Sequence, residues 1–354
     1  MRSSVRDASR LVVKVGSSSL TTPSGGFDHE RVETLAAELS ALHRGGRRVV
    51  LVTSGAIAAG IGPLGLGKRP NDLETQQAAA AVGQGLLVHQ YTQAFARHGV
   101  LVAQLLLTVD DVLRGTTYRN ALNTISRLFR LGVVPIINEN DTTATHEIRF
   151  GDNDRLAALV AHLVRADALI LLTDVDGLYT AHPSESGSER IAQVDDITKL
   201  VVDTSRVGSK VGTGGMRTKL EAAQIAAQAG IEVVLGHADQ LHQILEGEEV
   251  GTHFSPVGKR RRRRLLWLAH AAKIRGQLHV DAGAVRALTQ THASLLSAGV
   301  VRIEGNFNAG DPVAIVGPEG EPFARGFVEY GSDELSSPED RGRAVVHRNR
   351  LILL

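Results

Sequence analysis

The sequence predicts an α/β protein, a three-layer α/β/α sandwich around a mostly parallel sheet, followed by a small β-rich domain. Three observations carry this reading. The chain has 354 residues, more than one hydrophobic core usually serves, so two domains are expected. Short runs rich in Val, Leu and Ile alternate with longer helix-like segments up to about residue 250, the pattern of buried parallel strands joined by crossover helices. Between Gly251 and Arg264 that alternation gives way to Gly, Pro and a basic run, and beyond it come short apolar segments rich in turn residues.

The elements follow in order. Strands are expected at Leu11–Val15, Arg48–Thr53, Val100–Leu106, Val133–Asn138, Ala168–Thr173 and Glu232–Leu235, each a nearly continuous apolar run. A helix over His29–Leu42 places Val32, Leu35, Ala36, Leu39 and Leu42 on one face, with Asp28 as its N-cap. Asp72–His98 also reads as helix, weakened in the middle by Gly83 and Gly85, and Arg155–Val164 as another. The expected divisions are residues 1–258, a basic linker at 259–274, and a β-rich domain at 275–354, in which Gly276–Ala284, Gly299–Gly305 and Gly310–Pro312 punctuate short strands. Ligands of such a layered sheet collect at the carboxyl ends of the strands.

Charge and composition narrow the function classes. Lys plus Arg number 39 against 38 Asp plus Glu, so no whole-molecule field drives binding to nucleic acid or membrane. Zero cysteines exclude disulfides, thiolate metal sites and cysteine nucleophiles and are compatible with the cytoplasm. No apolar stretch approaches the ~20 residues of a membrane span, nor does the N-terminus carry a secretory h-region, so a soluble protein is expected.

Two glycine patterns are decoys. Gly60–Gly65 fits a dinucleotide fingerprint and Gly62–Lys68 most of a phosphate-binding loop, but neither directly follows a strand, and Arg69 stands where a metal-binding Ser or Thr belongs. A flexible surface loop is expected there. More informative is Lys14, a charge inside an apolar strand and followed by Gly16, Ser17, Ser18 and Ser19, whose backbone N–H groups could meet a phosphate. On an edge strand the same lysine would merely reach solvent. Ser54 and Gly55 end the second strand, where Ser54 would serve as an N-cap and the helix start would favour a carboxylate. Asn138, Glu139, Asn140 and Asp141, then Gly151, Asp152, Asn153 and Asp154, put more carboxylates and amides at neighbouring strand–helix junctions than capping requires. Leu172, Thr173 and Asp174 close another strand. Finally Thr213, Gly214, Gly215, Met216, Arg217, Thr218 and Lys219 combine glycines, hydroxyls and a lysine at the start of a helix, the strongest phosphate-type signal in the chain.

Taken together, Val13–Ser17, Thr53–Ala56, Gly151–Asp154, Thr173–Asp174 with Gly177–Tyr179, and Thr213–Lys219 resemble the amino acid kinase family, in its glutamate-phosphorylating branch. The resemblance runs from Leu11 to about Leu245 and continues beyond the linker into a PUA-like module, carried by Val280–Ala284, Ala293–Leu296, Gly299, Val300 and Gly305. It implies transfer of a phosphoryl group from ATP, with Mg2+, to the γ-carboxylate of L-glutamate, giving glutamyl 5-phosphate for proline synthesis. It also implies roles. Lys14 and Lys219 would stabilise the transferred phosphoryl group and Asp154 would hold them. Ser54, Asn138, Asp141 and Asn153 would bind glutamate, Asp141 through the ammonium group. Lys14, Thr173, Asp174 and the loop Thr213–Lys219 would bind the nucleotide. Inhibition by proline and a homo-oligomer of kinase domains are further implications. The sequence departs from the pattern at His182, Pro183 and Ser184, which bears only on contacts at the nucleotide's edge.

Two rival readings have distinct signals. Aspartate, acetylglutamate and carbamate kinases share the fold but not the appended module with the Gly151–Asp154 motif. An RNA-binding regulator is suggested by the module and by Lys259–Arg264. Residues 265–354 carry 9 Lys and Arg against 10 Asp and Glu, unlike the basic footprint of an RNA binder.

Overall fold

The computed structural model describes residues 2–20, 28–113, 115–142, 153–181, 185, 187–200, 215–257, 274–291, 293–336 and 343–354. The chain divides into two compact units at Gly258 and Lys259, with the short segment Leu113–Thr117 grouped with the second. The first unit opens with α1 (Ser3–Arg6), β1 (Arg10–Val15), α2 (His29–Arg44), β2 (Arg48–Val52), α3 (Ala56–Ile61), α4 (Leu73–Ala96) and β3 (Leu101–Leu107). Next come α5 (Val109–Leu113), α6 (Gly115–Arg130), β4 (Val133–Glu139), α7 (Asn153–Leu163), β5 (Ala168–Thr173), β6 (Leu178–Tyr179), β7 (Arg190–Ile191) and β8 (Gln193–Val194). It ends with α8 (Met216–Gln228), β9 (Glu232–His237), α9 (Leu241–Leu245) and β10 (Thr252–Phe254).

The central sheet runs β3-β4-β2-β1-β5-β9-β10-β8. From β3 through β9 every pairing is parallel, and β10 then pairs antiparallel with β9. β5 is buried along its whole length and β1, β2 and β4 at all but their first residue, because helices cover both faces. Asp28 and Asp72 cap α2 and α4, accepting from the backbone N–H groups of Arg31 at 3.1 Å and Thr75 at 2.8 Å. Each cap satisfies one of the donors that a helix start leaves open.

The glycines between α3 and α4 correct the sequence reading. Gly60 belongs to α3 and is buried, so only the exposed Gly62–Gly65 stretch is a surface turn. A Cβ on Gly60 would lie 2.0 Å from the Ala79 carbonyl oxygen, and one on Gly83 1.8 Å from that of Ala56. Gly83 is thus the contact through which the two helices approach, a packing requirement that outweighs its low helix propensity. Gly85 faces open space.

The second unit is a six-stranded sheet ordered β12-β16-β15-β14-β11-β13. Its strands are β11 (Gly276–Val280), β12 (Leu295–Leu296), β13 (Val300–Gly305), β14 (Pro312–Val316), β15 (Pro322–Val328) and β16 (Ala344–Leu353), and Asp281 caps the helix α10 (Ala282–Gln290). Leu278, Leu288, Phe307, Ile315 and Val346 are among the side chains of its own core.

Candidate active site

Sheet order decides where a ligand fits. From β1 the neighbours are β2 on one side and β5 on the other, so connections diverge there and leave a crevice at the carboxyl edge. Lys14 is registered between Val52 and Leu171, in the middle of the sheet and not at an edge. It is 4% exposed, and a buried ammonium group requires a partner.

That partner comes from α7. Lys14 Nζ stands 2.5 Å from Asp154 Oδ1, and Lys219 Nζ reaches Asp154 Oδ2 at 3.3 Å from the first turn of α8. Thr218 Oγ1 donates to the same Oδ2 at 3.0 Å. Asp154 is 1% exposed. Burial alone would raise its carboxyl, but Lys14 and Lys219 together outweigh that and hold it at about 2. One carboxylate therefore carries two ammonium groups from segments about 200 residues apart. An ammonium at a helix N-terminus is opposed by the helix dipole, and the same dipole makes that spot attractive to an anion.

Asn153, the residue before Asp154, organises the other half of the cleft. Its Nδ2 group lies 2.7 Å from the Thr53 carbonyl oxygen, 2.9 Å from Ser54 Oγ and 2.9 Å from Asn138 Oδ1, joining the ends of β2 and β4. Thr53 is braced from below by the buried Tyr91 hydroxyl at 2.8 Å. Asn138 Nδ2 donates to Gln84 Oε1 at 2.6 Å. Asn153 Oδ1 and Gln84 Nε2 are buried with no partner among the described residues, an arrangement that a ligand's polar atoms would complete. Asp141 lies at the same end. Burial pushes its carboxyl up to about 6 against the opposing pull of the Arg69 guanidinium.

These groups line one cleft of about 700 Å3, including its solvent-open part. It brings together the predicted Lys14, Ser54, Asn138, Asp141, Asn153, Asp174 and Lys219 with Gly16, Ser17 and Ser18. Asp154 stands directly behind the two lysines. Thr173, buried at the end of β5, donates to Asp174 Oδ1 at 2.9 Å. Gly215, Met216, Arg217 and Thr218 lead into Lys219, with Met216 buried and Arg217 exposed, paired with Glu221 at 3.0 Å. Thr213 and Gly214 lie outside the described residues, as do Gly151, Asp152, His182–Ser184 and the basic run Lys259–Arg264.

Two local readings change. Ser54 does not cap α3; the cap position is Gly55, whose φ of 105° suits glycine, and Ser54 Oγ is taken by Asn153. Arg69, which the sequence reading used only to dismiss a phosphate loop, lines the cleft, as does the buried Glu139. Glu139 was visible within the polar cluster ending β4. Arg69 carried no local signal, since only the fold turns the α3–α4 loop towards β4.

The cleft belongs to the region that the comparisons match. A model of the amino acid kinase family covers residues 9–237, and one of the PUA domain covers residues 276–351. Glutamate 5-kinase of Cutibacterium acnes is 54% identical over 99% of this chain and 93% of its own. Glutamate 5-kinase of Thermobifida fusca is 54% identical over 100% of this chain and 95% of its own. The structure of carbamate kinase from Giardia lamblia bound to AMP-PNP aligns with a TM-score of 0.52 at 17% identity, covering 71% of this chain and 99% of that one, a likeness of fold alone. Fold and sequence agree: this chain belongs to the amino acid kinase family and carries a C-terminal PUA domain.

Proposed function

We propose that the protein transfers the γ-phosphoryl group of ATP to the γ-carboxylate of L-glutamate, giving glutamyl 5-phosphate, the first step of proline synthesis. The observation that carries the reading is the pair of buried lysines on Asp154, facing an amide-lined pocket in one cleft. The full-length likeness to two enzymes named glutamate 5-kinase supports the choice of acceptor. A glutamate carboxylate oxygen attacks the γ-phosphorus, and the bond to the β,γ-bridging oxygen breaks, leaving ADP. No general base is needed, because a carboxylate is already ionised at neutral pH. Catalysis is then positioning plus charge stabilisation. Lys14 and Lys219 meet the charge on the phosphoryl oxygens, Asp154 keeps both in register, and Thr173, Asp174 and Thr213–Lys219 hold the nucleotide.

Ser54, Asn138 and Asn153 orient the amino acid, and Asp141 receives its ammonium group. No set of three metal-ligating side chains stands together among the described residues. Of the carboxylates in the cleft, Asp174 would help to hold a Mg2+ ion brought in with the nucleotide. Bound so, the ion supplies neutralisation of phosphate charge. Proline shares the ammonium and α-carboxylate head of glutamate and would compete at the same pocket. Val82 and Leu86 on α4, with Leu101 on the edge strand β3, leave apolar side chains exposed for pairing of kinase domains. Its substrates would be met in the cytoplasm.

Trapping the acyl phosphate with hydroxylamine tests the assignment, with glutamate, aspartate and acetylglutamate compared. Glutamate should give the most hydroxamate and should require ATP and magnesium. No hydroxamate from glutamate, or more from aspartate, would overturn it.

A further inference from the structure

We propose that Arg69 receives the α-carboxylate of the amino acid substrate, so that Arg69 and Asp141 together read its zwitterionic head. The proposal deepens the glutamate reading and rests on it. Three cationic side chains line the cleft: Lys14, Lys219 and Arg69. The first two are held on Asp154 at the phosphoryl end. Arg69 stands apart from them, on the loop between α3 and α4, and Asp141 is the charge that acts on it. Its guanidinium makes no hydrogen bond among the described residues, although burial withdraws it from water far enough to lower its pKa. A partly buried guanidinium with no acceptor among the described residues has donors to offer a ligand, and a planar carboxylate is the group whose geometry matches its paired N–H groups.

The position of Asp141 supplies a second argument. Arg69 and Asp141 feel one another electrostatically and line the same cleft, yet they do not close into an ion pair. Opposite charges held near each other without contact leave room for a ligand that carries both charges on adjacent atoms. The α-carbon of an amino acid bears such a pair, a carboxylate for Arg69 and an ammonium for Asp141. The γ-carboxylate then projects from that anchor towards Lys14 and Lys219. Arg69 is in this account a specificity-determining residue, touching the substrate but remote from the reacting atoms.

The test compares L-glutamate with its α-amide, L-isoglutamine, which keeps the γ-carboxylate and ammonium but lacks the α-carboxylate charge. In the full-length protein, Arg69→Gln should raise KM for glutamate by about tenfold or more, with kcat and KM for ATP within about twofold of wild type. KM for the α-amide should barely move, so the wild-type preference for glutamate collapses. Arg69→Lys should restore part of it by returning the charge without the paired donors. Equal effects of Arg69→Gln on both substrates, no effect on either, or a wild-type protein that binds the amide as well as glutamate would each overturn the proposal. Failure of the underlying function looks different: wild type itself would yield no hydroxamate from glutamate, and both readings would fall together.

Discussion

Asp154→Asn is the perturbation whose outcome the structure sets most tightly. The substitution keeps the size of the side chain and removes one negative charge that is 1% exposed and shared by two lysines. Holding the carboxyl at about 2, below its ordinary value of 3.8, corresponds to about 2–3 kcal/mol of native stability at neutral pH. The sign follows from the depressed value: this stability is fully present above the unfolded-state value and is lost as pH falls through about 2. Deleting the charge does more than forfeit that term, since Lys14 and Lys219 are left buried and facing each other. Two ammonium groups bridged by one carboxylate lie roughly 5–8 Å apart, a repulsion of about 2–3 kcal/mol at an effective dielectric of 20. A loss of about 3–5 kcal/mol is therefore expected, read as a fall in the urea midpoint of the kinase unit at pH 7. The polyphosphate of ADP or a non-hydrolysable ATP analogue would replace the missing charge. Such ligands should thus raise the melting temperature of the variant more than that of wild type at the same free ligand concentration. A loss under about 1 kcal/mol, with equal stabilisation by nucleotide, would refute the account of Asp154 as the shared counter-charge.

Other outcomes follow from the same geometry. Lys14→Ala and Lys219→Ala should each lower kcat by about a thousandfold in the hydroxamate assay while circular dichroism shows the fold retained. Because the Asp141 carboxyl sits at about 6 and must be ionised to take an ammonium group, kcat/KM for glutamate should fall about tenfold per pH unit below that value. Asp141→Asn should be weak at every pH and lack that acid limb in a pH–rate profile. Gly83→Ala should destabilise the kinase unit by about 1–3 kcal/mol or more in urea melts, through its clash with the Ala56 carbonyl. Gly85→Ala, two residues on in the same helix and facing open space, should instead stabilise by about 1 kcal/mol. For the RNA-binding alternative, a salt titration is decisive: binding through Lys259–Arg264 must weaken steeply with salt, and no binding at low salt ends that reading.

The six parallel strands β1–β5 and β9 were legible to within two residues because such strands carry long apolar runs, whereas the two- and three-residue strands β6, β7, β8 and β10 are too short to show a pattern. Lys14 stood out for the same reason, being a charge where the run allows none. Other features depend on contacts between segments far apart in sequence, which local pattern does not encode. Gly83 reads as a flaw in a helix until the Ala56 carbonyl is brought against it. Ser54 reads as a cap until Asn153 claims its hydroxyl. Arg69 reads as a failed motif until the α3–α4 loop turns it towards Asp141. That Asp154 engages both lysines came from family likeness and not from spacing, since about 200 residues separate Lys14 from Lys219.

Asn153 and Asp154 are consecutive, and this sets a length scale. One bonds to Ser54 and Asn138, where the proposed acceptor would lie, and the other grips Lys14 and Lys219, which would meet the donor. The two anchors are thereby separated by a single peptide unit, about 3.8 Å between Cα atoms, at the buried start of one helix. In the proposed reaction the first turn of α7 would act as a gauge for the distance between attacking oxygen and phosphorus. An amino acid one methylene shorter, anchored at the same head, would bring its carboxylate about an ångström short, enough to cost a hundredfold in rate. Choice between glutamate and aspartate would then need no contact that recognises the missing methylene. It would follow from a fixed gap that only one chain length spans.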